Sequence, residues 1–382
     1  MRKPSFLAVA LAASLLSLTM PATADTTLNV VSAGDQNMVD YVNNFLGPKF
    51  EALNPGVKVR AVGTGPGDAG SQKIYEKLSA EKGANTATWD IDVAVVHQRG
   101  AATMMKESLL APYTKDIAAG KLISRDSATN ALGTNVGGYV IPMFHSQIVF
   151  AYNSDVVKTP PKSFDELKEW VRKNPKQFGY NGVKGGMSGV GFVTGWVEAY
   201  SGMAGQLERG PYDPSKKAVI DKSLESLKDF NKYVVMTPGN AGTLDMLNRG
   251  EIAMGPVWVD MFYTWVADGK MNPSVKLELP KPGLPGQPMY YVIPAKAANP
   301  ALARKFIDFA ASPEIQAEGI VKQFNWYPGI DAKYVRPKMD EKSWDKLFAD
   351  VPPDQLQKYG RPFPLSDYFT DILEGYEQVV SK

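Results

Sequence analysis

Apolar residues in this chain switch from every-second spacing to the helical interval and back, element after element, so strands and helices must alternate. Thr27 to Val31 reads as a short apolar strand that ends in the turn Ser32-Ala33-Gly34-Asp35. Met38, Val42, Phe45, Leu46, Phe50 and Leu53 then fall at helical spacing until Asn54-Pro55-Gly56 stops them. Val57, Val59 and Ala61 alternate with Lys58 and Arg60, the pattern of a second strand. A glycine-rich loop from Gly63 to Gly70 follows, with Ser71 as the expected N-cap of a helix bearing Ile74 and Leu78 on one face. The continuous apolar run Ile91 to Val96 predicts a strand covered on both sides. Together these elements predict an α/β fold with a parallel, doubly wound sheet.

The alternation continues through an extended apolar stretch, Tyr139 to Tyr152. Ser163 and Glu166 have the spacing of a capping box that opens a helix through Leu167, Trp170 and Val171. Pro280 to Pro288 is the densest proline and glycine segment and reads as a linker or lobe crossing. A strand, Tyr290 to Ile293, comes next, then a helix capped by Asn299 with Pro300 at its first position. No internal repeat or low-complexity tract is present.

Other features bound the compartment and the partners. Arg2 and Lys3, the apolar run Phe6 to Leu18 and the small-residue site Ala22-Thr23-Ala24 predict a signal peptide over 1–24, cleaved before Asp25. That apolar run is shorter than the roughly 20 residues a membrane helix needs, so the expectation is a secreted, periplasmic protein. The chain has no cysteine, which excludes disulfides, thiolate metal sites and a nucleophilic thiol. Its 42 basic and 40 acidic residues are scattered, leaving no electrostatic footprint for nucleic acid or an anionic membrane.

Four motifs in order bear a family resemblance. Gly138-Tyr139-Val140-Ile141-Pro142 followed by Val149-Phe150-Ala151-Tyr152-Asn153-Ser154-Asp155 resembles the first lobe crossing of family 1 extracellular solute-binding proteins, the group of maltose-binding protein. Gly250-Glu251-Ile252-Ala253-Met254 resembles that family's motif leading to a ligand-facing tryptophan, here Trp258. Gly286-Gln287-Pro288 to Ala297 is similar to the return crossing, and Ala301 to Ser312 to the helix after it. The resemblance implies a two-lobed periplasmic-binding-protein fold of type II, each lobe a mostly parallel sheet flanked by helices. Lobe one is then expected over 25–145 and 286–330, lobe two over 146–285 and 331–382. It further implies a monomer that captures a small-molecule solute, closes about a hinge and docks on the permease subunits of an ABC transporter, with no cofactor, no metal and no catalysis.

Enzyme readings find little in the residues. Gly65-Pro66-Gly67-Asp68-Ala69-Gly70 matches a dinucleotide fingerprint, but it follows the second strand rather than the first and Pro66 stiffens its turn. Its amides, at a helix N-terminus, better suit an anionic or hydroxyl group of a solute. A hydrolase has only His97 and His145 as histidine bases, and Gly186-Met187-Ser188-Gly189-Val190 lacks the final glycine of a nucleophile elbow.

The ligand-facing candidates are therefore Asp35, Asp68, His97, Gln98, His145, Trp196, Trp258, Asp260 and Tyr327. His97, Gln98 and His145 lie where strands reach their C-terminal ends, the ligand-binding edge of open α/β sheets. Trp196 and Trp258 offer flat rings for a sugar face or an amine, and Tyr327 stands where the resemblance implies the last cleft contacts. That aromatic platform with neutral polar partners favours a sugar, polyol or sugar-phosphate-like solute. Asp35, Asp68 and Asp260 keep open a polyamine or an aminophosphonate.

Overall fold

The computed structural model describes residues 26–381; the expected leader lies outside them. Thr26–Ala33 sits between Val57–Gly65 and Val93–Val96, parallel to both. Leu284–Pro294 adds antiparallel to Val93–Val96, and Ile141–Asn153 adds antiparallel to Leu284–Pro294. The second half of Ile141–Asn153 leaves this sheet and pairs with Met254–Trp258 and Val275–Glu278. At roughly 3.3 Å per residue its 13 residues span about 40 Å, enough to serve two sheets in succession. Ile141–Asn153 runs out of the first lobe and Leu284–Pro294 returns to it, so the two form a ribbon joining both halves.

Local chemistry explains most element boundaries. The first helical stretch covers Gln36–Tyr41, a π segment Val42–Leu46, and Gly47–Leu53. Ser163 accepts the Glu166 N–H at 3.2 Å and opens Phe164–Lys173 as the spacing requires. The Glu166 carboxylate, however, takes the N–H of Lys162, one residue ahead of the expected reciprocal bond. Pro300 occupies the first turn of Pro300–Ala310.

Two boundaries differ from expectation. The helix after the second strand begins at Gly67, not Ser71, because Gly65 and Gly67 take φ of 101° and 67° and turn the chain early. A Cβ on Gly70 would lie 1.9 Å from the Gly65 carbonyl oxygen, so only glycine permits this tight entry. Ser71, one turn inside, caps nothing and instead accepts the His97 N–H at 3.1 Å. The proline-rich segment is a linker only to Gly283, since Leu284 to Pro288 already belongs to the return strand.

The C-terminal portion divides between the halves. Ser366–Gly375 packs on Lys217–Asn231 and Met187–Ser201, whereas Ala332–Val335 and Glu341–Leu347 pack on 313–323 beside the first sheet.

Candidate functional site

The strand ends of both halves meet on one side of the ribbon. Asp35 follows the first strand, Gly67 opens a helix after the second, and His97 follows the third. From the other half come Met187 and Asn240 at two helix starts, then Trp258 and Asp260 at the end of Met254–Trp258. The ribbon supplies Phe144, Ser146, Gln287 and Met289 as a floor. These groups enclose a front chamber with about 30 Å³ of free space, room for about two waters. Any organic solute therefore needs the lobes to part.

The seam is closed by two reciprocal amide–carboxylate bonds. Asn37 donates from the first half to Asp260 at 3.1 Å, and Asn240 donates from the second half to Asp35 at 3.0 Å. Asn240 is itself fixed, its Oδ1 accepting from the Ser188 N–H, the Ser188 hydroxyl and Asn181. Asp260 also accepts the Ser146 hydroxyl at 2.5 Å. Burial pushes the Asp260 carboxyl up to about 6, against the pull of Ser146 and Asn37, with Asp35 adding repulsion. Burial likewise raises Asp35, opposed by Asn240. No lysine or arginine lines the chamber among the described residues, so its two carboxylates have only neutral partners. Met38, Met187, Met261 and Met289 make the rest of the wall apolar and adaptable.

The expected site residues separate into four places. Asp35, His97, Trp258 and Asp260 come together in the front chamber. Burial lowers the His97 pKa, partly countered by the neighbouring Asp68, and its Nδ1 meets the Ser71 hydroxyl at 3.2 Å. Asp68 stands beside His97 but outside the chamber wall, in a surface hollow with Ser71 and Arg99. Gln98, His145 and Tyr327 lie on the opposite side of the ribbon.

Trp196 corrects an expectation. It sits deep in the helix Met187–Ser201, not at its start, and is fully buried among Phe164, Phe192 and Phe230. Its indole N–H is taken by the Ser223 carbonyl and the Ser226 hydroxyl, so the ring belongs to the second half's core. Trp196 and Trp258 therefore do not form one platform, and of the two only Trp258 lines the front chamber.

Sequence reasoning missed Asn37, Ser146, Asn240 and Gln287. Ser146 and Gln287 were within reach of strand alternation; the two asparagines are recognisable only once the halves are brought together.

Two α/β lobes joined by crossing strands, with a lined seam at the strand ends, define a solute-binding protein. The chain belongs to the bacterial extracellular solute-binding protein family, whose model matches residues 46–342. It is 24% identical over 415 residues to the maltodextrin-binding protein MdxE of Bacillus subtilis (strain 168), covering 98% of this chain and 89% of that protein. Among solved structures, maltose-bound MalE3 of T. maritima aligns at a TM-score of 0.70 and 15% identity, over 93% of this chain and 98% of that one. A putative extracellular solute-binding protein from Bordetella parapertussis aligns at 0.68 and 17%, over 93% and 99%. A putative spermidine/putrescine ABC transporter protein from Listeria monocytogenes aligns at 0.65 and 18%, over 92% and 98%. These structural likenesses establish the two-lobed fold.

Proposed function

We propose that this protein captures a small organic ammonium solute in the front chamber and hands it, without chemistry, to the permease subunits of an ABC importer in the cell envelope. The observation that carries the reading is the seam itself. Two carboxylates, the buried Asp260 and the half-buried Asp35, face each other's lobe with amide partners and no cation. A buried anion without a counter-charge is costly, and a protonated amine supplies that charge. Trp258 offers a ring face to the same cation, and the four methionines suit an apolar body of variable shape. A sugar would meet carboxylates suited to its hydroxyls but a single ring to stack on.

The hinge division we propose places 26–145 and 286–347 in one lobe and 146–285 with 350–381 in the other. The stretch 332–347 joins the first lobe because it packs on 313–323. The expected boundary at 331 moves accordingly.

Thermal-shift and calorimetric titration with putrescine, spermidine, 4-aminobutyrate, choline, maltose and xylitol tests the solute class, since a ligand of the native state raises its melting temperature. At least one amine is expected to bind. Saturable binding of maltose or xylitol with no amine binding would refute the proposal.

A further inference from the structure

Side chains alternate along a strand, so the ribbon has two working faces. Phe144 and Ser146, with their partners Met289 and Gln287, face the front chamber. His145 and Gln147, with Pro288 and Gly286, face the other way. That rear face floors a second chamber of about 420 Å³, walled by Gln98 and Arg125 from the first half and by Arg361 from the second.

Polar groups in the rear chamber are left incomplete. Gln98 is 3% exposed; its amide N–H bonds reach the Asn130 carbonyl and the Tyr290 hydroxyl, while its Oε1 has no partner. The buried Nε2 of His145 also lacks one. Arg125 makes one long bond, 3.5 Å to the Pro328 carbonyl, and no carboxylate pairs with it among the described residues. Burial lowers its pKa despite the attraction of Asp331, and burial, with the repulsion of Arg125 added, pushes the His145 pKa well below its ordinary value. Two acidic groups share the wall. Asp126 accepts from Asn130, and burial raises the Glu208 carboxyl, which has no hydrogen-bond partner and feels the opposing attraction of Arg361. An aromatic wall completes the chamber, with Tyr327 and Phe348 stacked at 5.7 Å and 20°.

We propose that the rear chamber is a second binding site, for a small hydroxylated aromatic carboxylate. The carboxylate pairs with Arg125, whose planar fork suits it. The ring lies against Tyr327 and Phe348, and the hydroxyl donates to Gln98 Oε1 or His145 Nε2. This site is independent of the solute proposed for the front chamber.

The test is calorimetric titration of the full chain with 4-hydroxybenzoate. Saturable binding is expected in the wild type and in Asp260→Asn, with about a 10- to 100-fold loss in Arg125→Gln, the range of one charged hydrogen-bonded contact. Phe348→Leu, which keeps the charge, is expected to weaken binding several-fold and guards against a folding defect in Arg125→Gln. Absence of saturable binding up to 10 mM would overturn the proposal. So would binding that survives Arg125→Gln but is lost in Asp260→Asn, which would place the anion in the front chamber.

Discussion

Asp260→Asn is expected to make the protein more stable and its binding weaker. The wild-type carboxyl rises from 3.8 to about 6 on folding. At about 1.4 kcal/mol per tenfold, that rise corresponds to about 3 kcal/mol. Below pH 3.8 both folded and unfolded states are protonated and burial is harmless. Between pH 4 and 6 the unfolded state loses its proton first, and above about pH 6 the folded state bears the whole penalty. The asparagine removes the charge but disturbs one of the bonds from Asn37 and Ser146, a loss of about 1 kcal/mol. A net gain of about 2 kcal/mol at pH 8 follows, roughly 3 °C in melting temperature for a chain of this length. That gain should shrink toward nothing, or reverse, at pH 4. Amine affinity should fall about 100-fold, since a buried charge has lost its partner. Ligand-free melts across pH 4 to 8, with putrescine titrations at pH 7.5, read both effects. A variant less stable than wild type at pH 8, or one binding its amine unchanged, would refute the carboxylate argument.

Asn240→Asp keeps every acceptor that Ser188 and Asn181 use but sets a carboxylate against Asp35, so the seam should open, seen as a larger radius of gyration by X-ray scattering. Trp258→Ala is expected to weaken solute binding about 30-fold by titration and, because its ring is buried at the closed seam, to lower urea stability as well. Trp196→Ala should lose about 3 to 5 kcal/mol in urea melts because it empties a core position, without a contact in the front chamber to lose. His145 is buried neutral, with its pKa well below 6.5, so wild-type stability falls as the pH drops through 6.5 and the unfolded state gains a proton. His145→Gln should retain more of its neutral-pH stability at pH 5, measured by thermal melts.

The strand and helix order was readable because periodicity is a local property, and each predicted element has a counterpart. Ser71 was misread because its hydroxyl finds a tertiary partner, the His97 amide, rather than its own helix terminus. Trp196 was misplaced because a preceding glycine resembled a helix start, whereas the helix is buried on every side from Met187 to Glu198. Most candidate residues sit at strand ends, but sequence could not show which side of the ribbon each would take. His145 and Ser146 are neighbours in the chain, yet the imidazole lines the rear chamber while the hydroxyl turns the other way to bond Asp260 in the front one. Asn37 and Asn240 gain meaning only across a closed seam, where an amide meets a carboxylate 223 and 205 positions away.

The two-faced ribbon also governs what inheritance can change. Within either lobe, a loop away from these strand ends can lengthen without disturbing the front chamber. A single residue inserted early in Ile141–Asn153 would instead turn every later side chain over, sending the Ser146 hydroxyl to the rear and the His145 imidazole to the front. Such a change would trade the two chambers' linings rather than merely damage one. In diverging descendants of this chain, spacing along the crossing strands should therefore resist insertions and deletions even where the residues themselves are free to vary.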